Sequence, residues 1–136
     1  MIYVLDTPIV SALMRSEEAV TRRLLATPRE SVLLPQPVVS EILYGIALLP
    51  ASRRRRELEA ALSTLLGDIR RAAWSDDVSR EFGRVKADLD QRGERVDDFD
   101  LAIAAHALAL DATIVTRNLR HFTRIRRLAV EDWGAA

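Results

Sequence analysis

Short apolar runs alternate with stretches of helical period along the whole chain. Ile2-Tyr3-Val4-Leu5 is a continuous apolar run with β-branched and aromatic members, the pattern of a strand buried on both faces of a parallel sheet. Asp6 stands at its C-terminal end. From Thr7 the period becomes helical, with Pro8 suited to a first helical turn and Ile9, Leu13, Val20, Leu24 and Leu25 at helical spacing across a break near Ser16. Val32-Leu33-Leu34 predicts a second strand, ended by Pro35 and Pro37. Pro37 can start a helix in which Val38, Glu41, Ile42 and Gly45 lie three or four apart, which sets Glu41 beside an apolar stripe.

From Ser52 the pattern is an amphipathic helix, opening with Arg53 to Arg56 and carrying Leu58, Ala61, Leu62, Leu65 and Leu66. Val78, Phe82, Val85 and Leu89 mark another, which Arg92-Gly93 should end. Between them, Ile69 to Trp74 predicts a short strand, despite its two arginines. The stretch from Asp98 to Leu110 differs, because Leu101, Ile103, Ala104, Ala105, Ala107, Leu108 and Leu110 leave almost no polar face; this helix should be buried. Thr113-Ile114-Val115 follows as a β-branched strand, then a polar turn Thr116-Arg117-Asn118, and Arg127 to Val130 as an edge strand. Strands alternating with helices predict an α/β sandwich around a mostly parallel sheet. No repeat, linker or low-complexity stretch divides it, so residues 1–136 are expected to form one domain.

Composition narrows the class. A chain of 136 residues, 49% hydrophobic, can bury a core without disulfide or metal staples, and the lack of cysteine fits a reducing compartment. The opening MIYVLDTPIV has no basic leader, and Asp6 breaks its apolar run, so neither a signal peptide nor a membrane span is expected and the location is expected to be cytoplasmic. Twenty basic and 20 acidic side chains exclude a globally basic nucleic-acid binder. Every basic residue but Lys86 is Arg, a bias that bidentate phosphate contacts and a GC-rich genome would both produce.

Open α/β sheets bind ligands outside the carboxyl ends of their strands. Asp6, Glu41, Asp100 and Asn118 all fall there in this reading. Carboxylates gathered without Lys or Arg between them repel one another unless a hard cation neutralises them, which points to Mg²⁺ with Mn²⁺ able to substitute. Each residue also has a plainer reading: Asp6 as a helix cap, Glu41 as a solvated helix position, Asp100 as a favourable charge at a helix N-terminus and Asn118 as a turn residue. His106 and His121 are read as structural, since neither serine nor cysteine chemistry accompanies them. No phosphate-cradling glycine loop occurs.

The strings YVLDTPIVSAL, PVVSEILYGIALLP, VDDFDLAIAAHALALDATIVTRNLRHFTRI and LAVEDW, in this order, resemble a PIN-domain ribonuclease, and within that group a VapC toxin of a bacterial type II toxin-antitoxin pair. The resemblance spans nearly the whole chain. It implies a PIN-like three-layer sandwich, an acidic triad of Asp6, Glu41 and Asp100, an orienting hydroxyl at Thr116, and Asn118 at a position that relatives fill with Asp or Asn. It also implies Mg²⁺-dependent endonucleolytic cleavage of RNA, often tRNA, a VapB-type antitoxin partner and a homodimer. Pro8 departs from the family's usual Asp-Thr-Asn opening, since proline offers neither an amide side chain nor a backbone donor.

On this reading Asp6 and Asp100 are the metal ligands, and Glu41 acts through ordered water. Because phosphate must approach an acidic site, a basic rim is required; Arg117, Arg120 and Arg124 are its candidates. Asp97 and Asp98 are expected to serve as helix cap and outer-shell groups. The apolar stripes of the two middle helices are read as core, or else as a groove for an antitoxin segment. The alternatives are a non-catalytic PIN-like module binding RNA or protein, and a phosphoryl-transfer domain, for which Lys86 is poorly placed.

Overall fold

The computed structural model describes residues 1–134; Ala135 and Ala136, which the single-domain expectation also spans, lie outside the described residues. Five strands, β1 (Tyr3–Leu5), β2 (Val32–Pro35), β3 (Arg70–Ala72), β4 (Thr113–Val115) and β5 (Ala129–Glu131), pair in the order β3-β2-β1-β4-β5. All four pairings are parallel, so the sheet is wholly rather than mostly parallel. Its central strands are apolar on both faces, as a sheet covered by helices requires: Val4, Leu5, Leu34, Ile114 and Val115 are fully buried.

The helices are α1 (Thr7–Met14), α2 (Glu18–Leu25), α3 (Gln36–Ala47), α4 (Arg53–Asp68), α5 (Asp76–Gln91) and α6 (Asp98–Ala109), and with the sheet they make a three-layer α/β sandwich. Their ends follow from local chemistry. Asp6, Ser52, Ser75 and Asp97 each cap a helix by accepting a backbone N–H with the side-chain oxygen. The break between α1 and α2 is Ser16, whose φ of 56° no helix accommodates. Gly93, at φ 68°, stops α5: its N–H donates to the Asp90 carbonyl at 3.1 Å and Glu94 N–H to the Leu89 carbonyl at 2.9 Å, closing the last turn.

Helix α6 is the buried helix its composition predicts, with every residue from Leu101 to Ala107 inside. It packs on β1, β4, α3 and α5. Three details differ from expectation. β3 is shorter than the expected Ile69 to Trp74, covering Arg70–Ala72, and accommodates Arg70 and Arg71 because it is an edge strand that buries only Ala72. Strand β5 starts at Ala129, not Arg127, because Arg127 has φ 66° and cannot join the ladder. The α5 stripe of Val78, Val85 and Leu89 is buried in the core, whereas Leu58 of α4 borders an open groove with Met14 and Ile46.

Candidate active site

The chain leaves β1 for β2 and β3 on one side, then returns to the other side for β4 and β5. The strand order therefore reverses between β1 and β4, where parallel sheets open a crevice at their carboxyl ends. Asp6 follows β1 and Thr116 follows β4; Asp6 N–H donates to the Val115 carbonyl at 3.0 Å and fixes the two side by side.

Asp6 is only 2% exposed. Its carboxylate accepts the Ile9 N–H at 3.1 Å and a hydrogen bond from Thr116, so the capping and site readings of this residue are both realised. Burial pushes its pKa up to about 6; the Thr116 and Ile9 bonds oppose the rise, and the Asp100 charge adds to it. Helix α3 brings Glu41 to the same crevice, half-buried, where it accepts a short hydrogen bond from the Thr7 hydroxyl. Asp100, in the first turn of α6, is also half-buried. Burial raises its pKa, His121 counteracts that, and Asp97 and Glu41 add like-charge repulsion.

The three neighbouring aspartates divide their tasks. Asp97 caps α6 by accepting Phe99 N–H at 2.7 Å, Asp98 pairs outward with Lys86 at 2.9 Å, and Asp100 faces the crevice. Asn118 does more than turn the chain: its N–H donates to Thr116 Oγ1 at 2.9 Å, and its amide lies 3.1 Å from His121 Nε2. The other ring nitrogen, His121 Nδ1, lies 3.0 Å from Asp100 Oδ2. A proton on Nδ1 and a lone pair on Nε2 satisfy both neighbours. His121, read from sequence as structural, thus belongs to the site. Its six-residue offset from Val115 follows a tight turn, Leu119–His121, that has no periodic signal. His106 is structural as expected, buried with Nδ1 on the Ala102 carbonyl at 2.8 Å and its ring edge-on to Trp74.

The PIN-domain family model matches residues 3–128, which include Asp6, Glu41, Asp100, Thr116 and Asn118. The chain belongs to the PIN-domain family. Within that family its relatives are VapC proteins. Ribonuclease VapC2 of Rickettsia felis is 30% identical over 98% of both chains, and Ribonuclease VapC1 of Haemophilus influenzae is 31% identical over 98% of both. The crystal structure of VapBC2 from Rickettsia felis, bound to a DNA fragment from their promoter, superposes with a TM-score of 0.88 at 27% identity, covering 98% of this chain and 99% of that one.

In this PIN domain, Asp6, Glu41 and Asp100 pair with no Lys or Arg among the described residues, so their charges are left for something else to neutralise. As they stand, no three His, Asp or Glu side chains among the described residues converge closely enough to enclose an ion; Glu41 bonds to Thr7 and Asp100 lies against His121. Mg²⁺ does not need three. It is held by one or two carboxylates and keeps several waters. The all-oxygen donor set of Asp6 and Asp100 fits such an ion.

Of the three rim arginines, two have partners within the domain. Arg117 pairs with Glu17 at 2.9 Å, and Arg124 with Glu94 at 3.5 Å and with the Arg95 carbonyl. Arg120, exposed in the turn beside His121, has no side-chain partner among the described residues. No helix among the described residues is long and apolar enough to cross a membrane.

Proposed function

We propose that this protein is the toxin of a toxin-antitoxin pair, an Mg²⁺-dependent endoribonuclease that hydrolyses RNA phosphodiester bonds, with tRNA as its substrate class. The observation that carries this reading is the gathering of Asp6, Glu41 and Asp100, without Lys or Arg partners, at the switch point of a parallel sheet in a VapC-like PIN domain. Asp6 and Asp100 would hold the ion. When bound, it supplies charge neutralisation at the phosphate and a more acidic water. Glu41 uses one oxygen to accept the Thr7 hydroxyl, leaving the other to orient the attacking water and take its proton. Thr116 holds the Asp6 carboxylate in place, and His121 and Asn118 do the same for Asp100.

The non-catalytic alternative rests on Pro8. That residue is exposed in the first turn of α1, and the Asp6–Ile9 cap is intact beside it, which supports the nuclease reading. A VapB-type antitoxin is the proposed partner, since the solved neighbours include VapBC structures, one of them described as a member of the VapBC family of toxin-antitoxin systems. The groove of about 500 Å³ edged by Met14, Ile46 and Leu58, with Arg15, Arg54 and Glu57 at its rim, would receive an amphipathic segment of it. A homodimer is proposed through the exposed Leu43, Tyr44 and Leu48 at the end of α3, an apolar face that a monomer would leave in water.

The test is incubation of antitoxin-free protein with total RNA and purified tRNAs in Mg²⁺ or EDTA. Discrete fragments formed only with Mg²⁺, and suppressed by the antitoxin, are expected. Failure of the folded protein to cut any RNA in Mg²⁺ would overturn the assignment.

A further inference from the structure

Six arginines, five of them exposed and Arg92 half-buried, form a band that runs from the His121 turn to α5. It begins at Arg120 in the His121 turn, continues through Arg124 and Arg92, and ends on Arg84, Arg126 and Arg127. The links are specific. Arg92 donates to the Arg124 carbonyl at 2.6 Å and to Asp88 at 2.8 Å; Asp88 also faces Arg126 at 3.9 Å. Arg84 and Arg127 both pair with Glu81. Arg84, Arg126 and Arg127, together with Val85 and Asp88, line an open groove of about 340 Å³.

The six guanidinium groups face three carboxylates, Glu81, Asp88 and Glu94, so the band carries a formal charge of +3. The chain as a whole is formally neutral, so the remainder carries −3. Overall neutrality therefore does not describe this face, where arginines outnumber the carboxylates paired with them. Arg124 and Arg126 meet Glu94 and Asp88 at 3.5 and 3.9 Å, loose pairs that can give way to phosphate, which the planar guanidinium grips in bidentate fashion; Arg84 and Arg127 are themselves exposed but share Glu81, whose carboxylate is largely buried. Arg127 adds a second observation: its φ of 66° is a strained state for a side chain of this size, and such strain is concentrated at functional positions.

We infer that this band binds the phosphate backbone of the RNA beyond the scissile bond, so that a long folded RNA is held on Arg84, Arg126 and Arg127 while a short one is not. The inference rests on the nuclease reading above. A lipid surface is another polyanion that such a band would fit, but its origin in the turn that carries His121 favours the substrate of that site.

The experiment uses full-length protein carrying Asp100→Asn, so that RNA is not consumed, with and without Arg84→Gln, Arg126→Gln and Arg127→Gln together. Binding of a tRNA pool, a tetraribonucleotide and a DNA duplex is measured over a range of salt. Each phosphate that the protein neutralises contributes roughly 0.7–0.9 to the slope of log affinity against log salt, so for tRNA the slope should become shallower by about 2. The drop in affinity should be at least about tenfold greater for tRNA than for the tetranucleotide. The matching Arg→Lys triple variant, which keeps the charge, should restore most of the binding and shows that the weakening does not come from misfolding. An unchanged tRNA slope in the glutamine variant, or weakening confined to the DNA duplex, overturns the band. If the protein without the arginine changes binds no RNA at all, the nuclease reading fails instead.

Discussion

Asp6→Asn should make the metal-free protein more stable while abolishing its chemistry. The folded carboxyl holds its proton up to about pH 6, against 3.8 for a free side chain. Its contribution to stability is therefore fully present below pH 3.8 and is lost as pH rises through 6. The gap of about two pH units corresponds to ~3 kcal/mol by which the buried carboxylate destabilises the metal-free fold near pH 8. Asparagine is neutral, nearly isosteric and an equally good cap, so the Ile9 N–H keeps its acceptor. Thermal denaturation in EDTA, followed by circular dichroism, should place the variant above wild type at pH 8 by up to roughly 10 °C. The two should converge toward pH 4. Adding Mg²⁺ should raise the melting temperature of wild type alone, and cleavage by wild type should fall as pH drops below 6. A variant no more stable at pH 8 than wild type, or a gap equal at both pH values, would refute the account of Asp6 as a strained, buried carboxylate.

His121→Ala removes the partner 3.0 Å from Asp100, so the Asp100 pKa should rise further and the acid limb of the cleavage profile should move to higher pH; an unmoved limb would remove His121 from the site. Pro8→Asn should alter cleavage by less than about threefold, because Pro8 is exposed and the Asp6 cap is already formed; single-turnover kinetics would show otherwise by a large gain. Ile103→Ala, in the fully buried stretch of α6, should cost about 2–5 kcal/mol in urea denaturation, and a cost below about 1 would mean that this helix is not packed as described.

The fold was legible where the apolar period is strong. β1, β2, β4 and the all-round apolar α6 are visible because burial on both faces leaves no polar position to disturb the pattern. β3 and β5 are faint because edge strands carry arginines and need bury only part of one face. Asp6, Glu41 and Asp100 could be singled out because each follows an apolar run or rides beside one. The Thr7–Glu41 bond, by contrast, joins residues 34 apart, and the approach of His121 to Asp100 depends on a short turn with no repeating pattern. The pairing of Arg117 with Glu17, 100 residues away, was equally invisible along the chain.

The central claim is that Asp6 and Asp100 hold the divalent ion on which cleavage depends. Crystals grown with Mn²⁺, measured at the manganese edge for the wild-type protein and for Asp100→Asn, test it most directly. The account predicts an anomalous peak in the crevice between Asp6 and Asp100 in the wild type, absent or much weakened in the variant. A peak at any other site, or one undiminished in the variant, would contradict it.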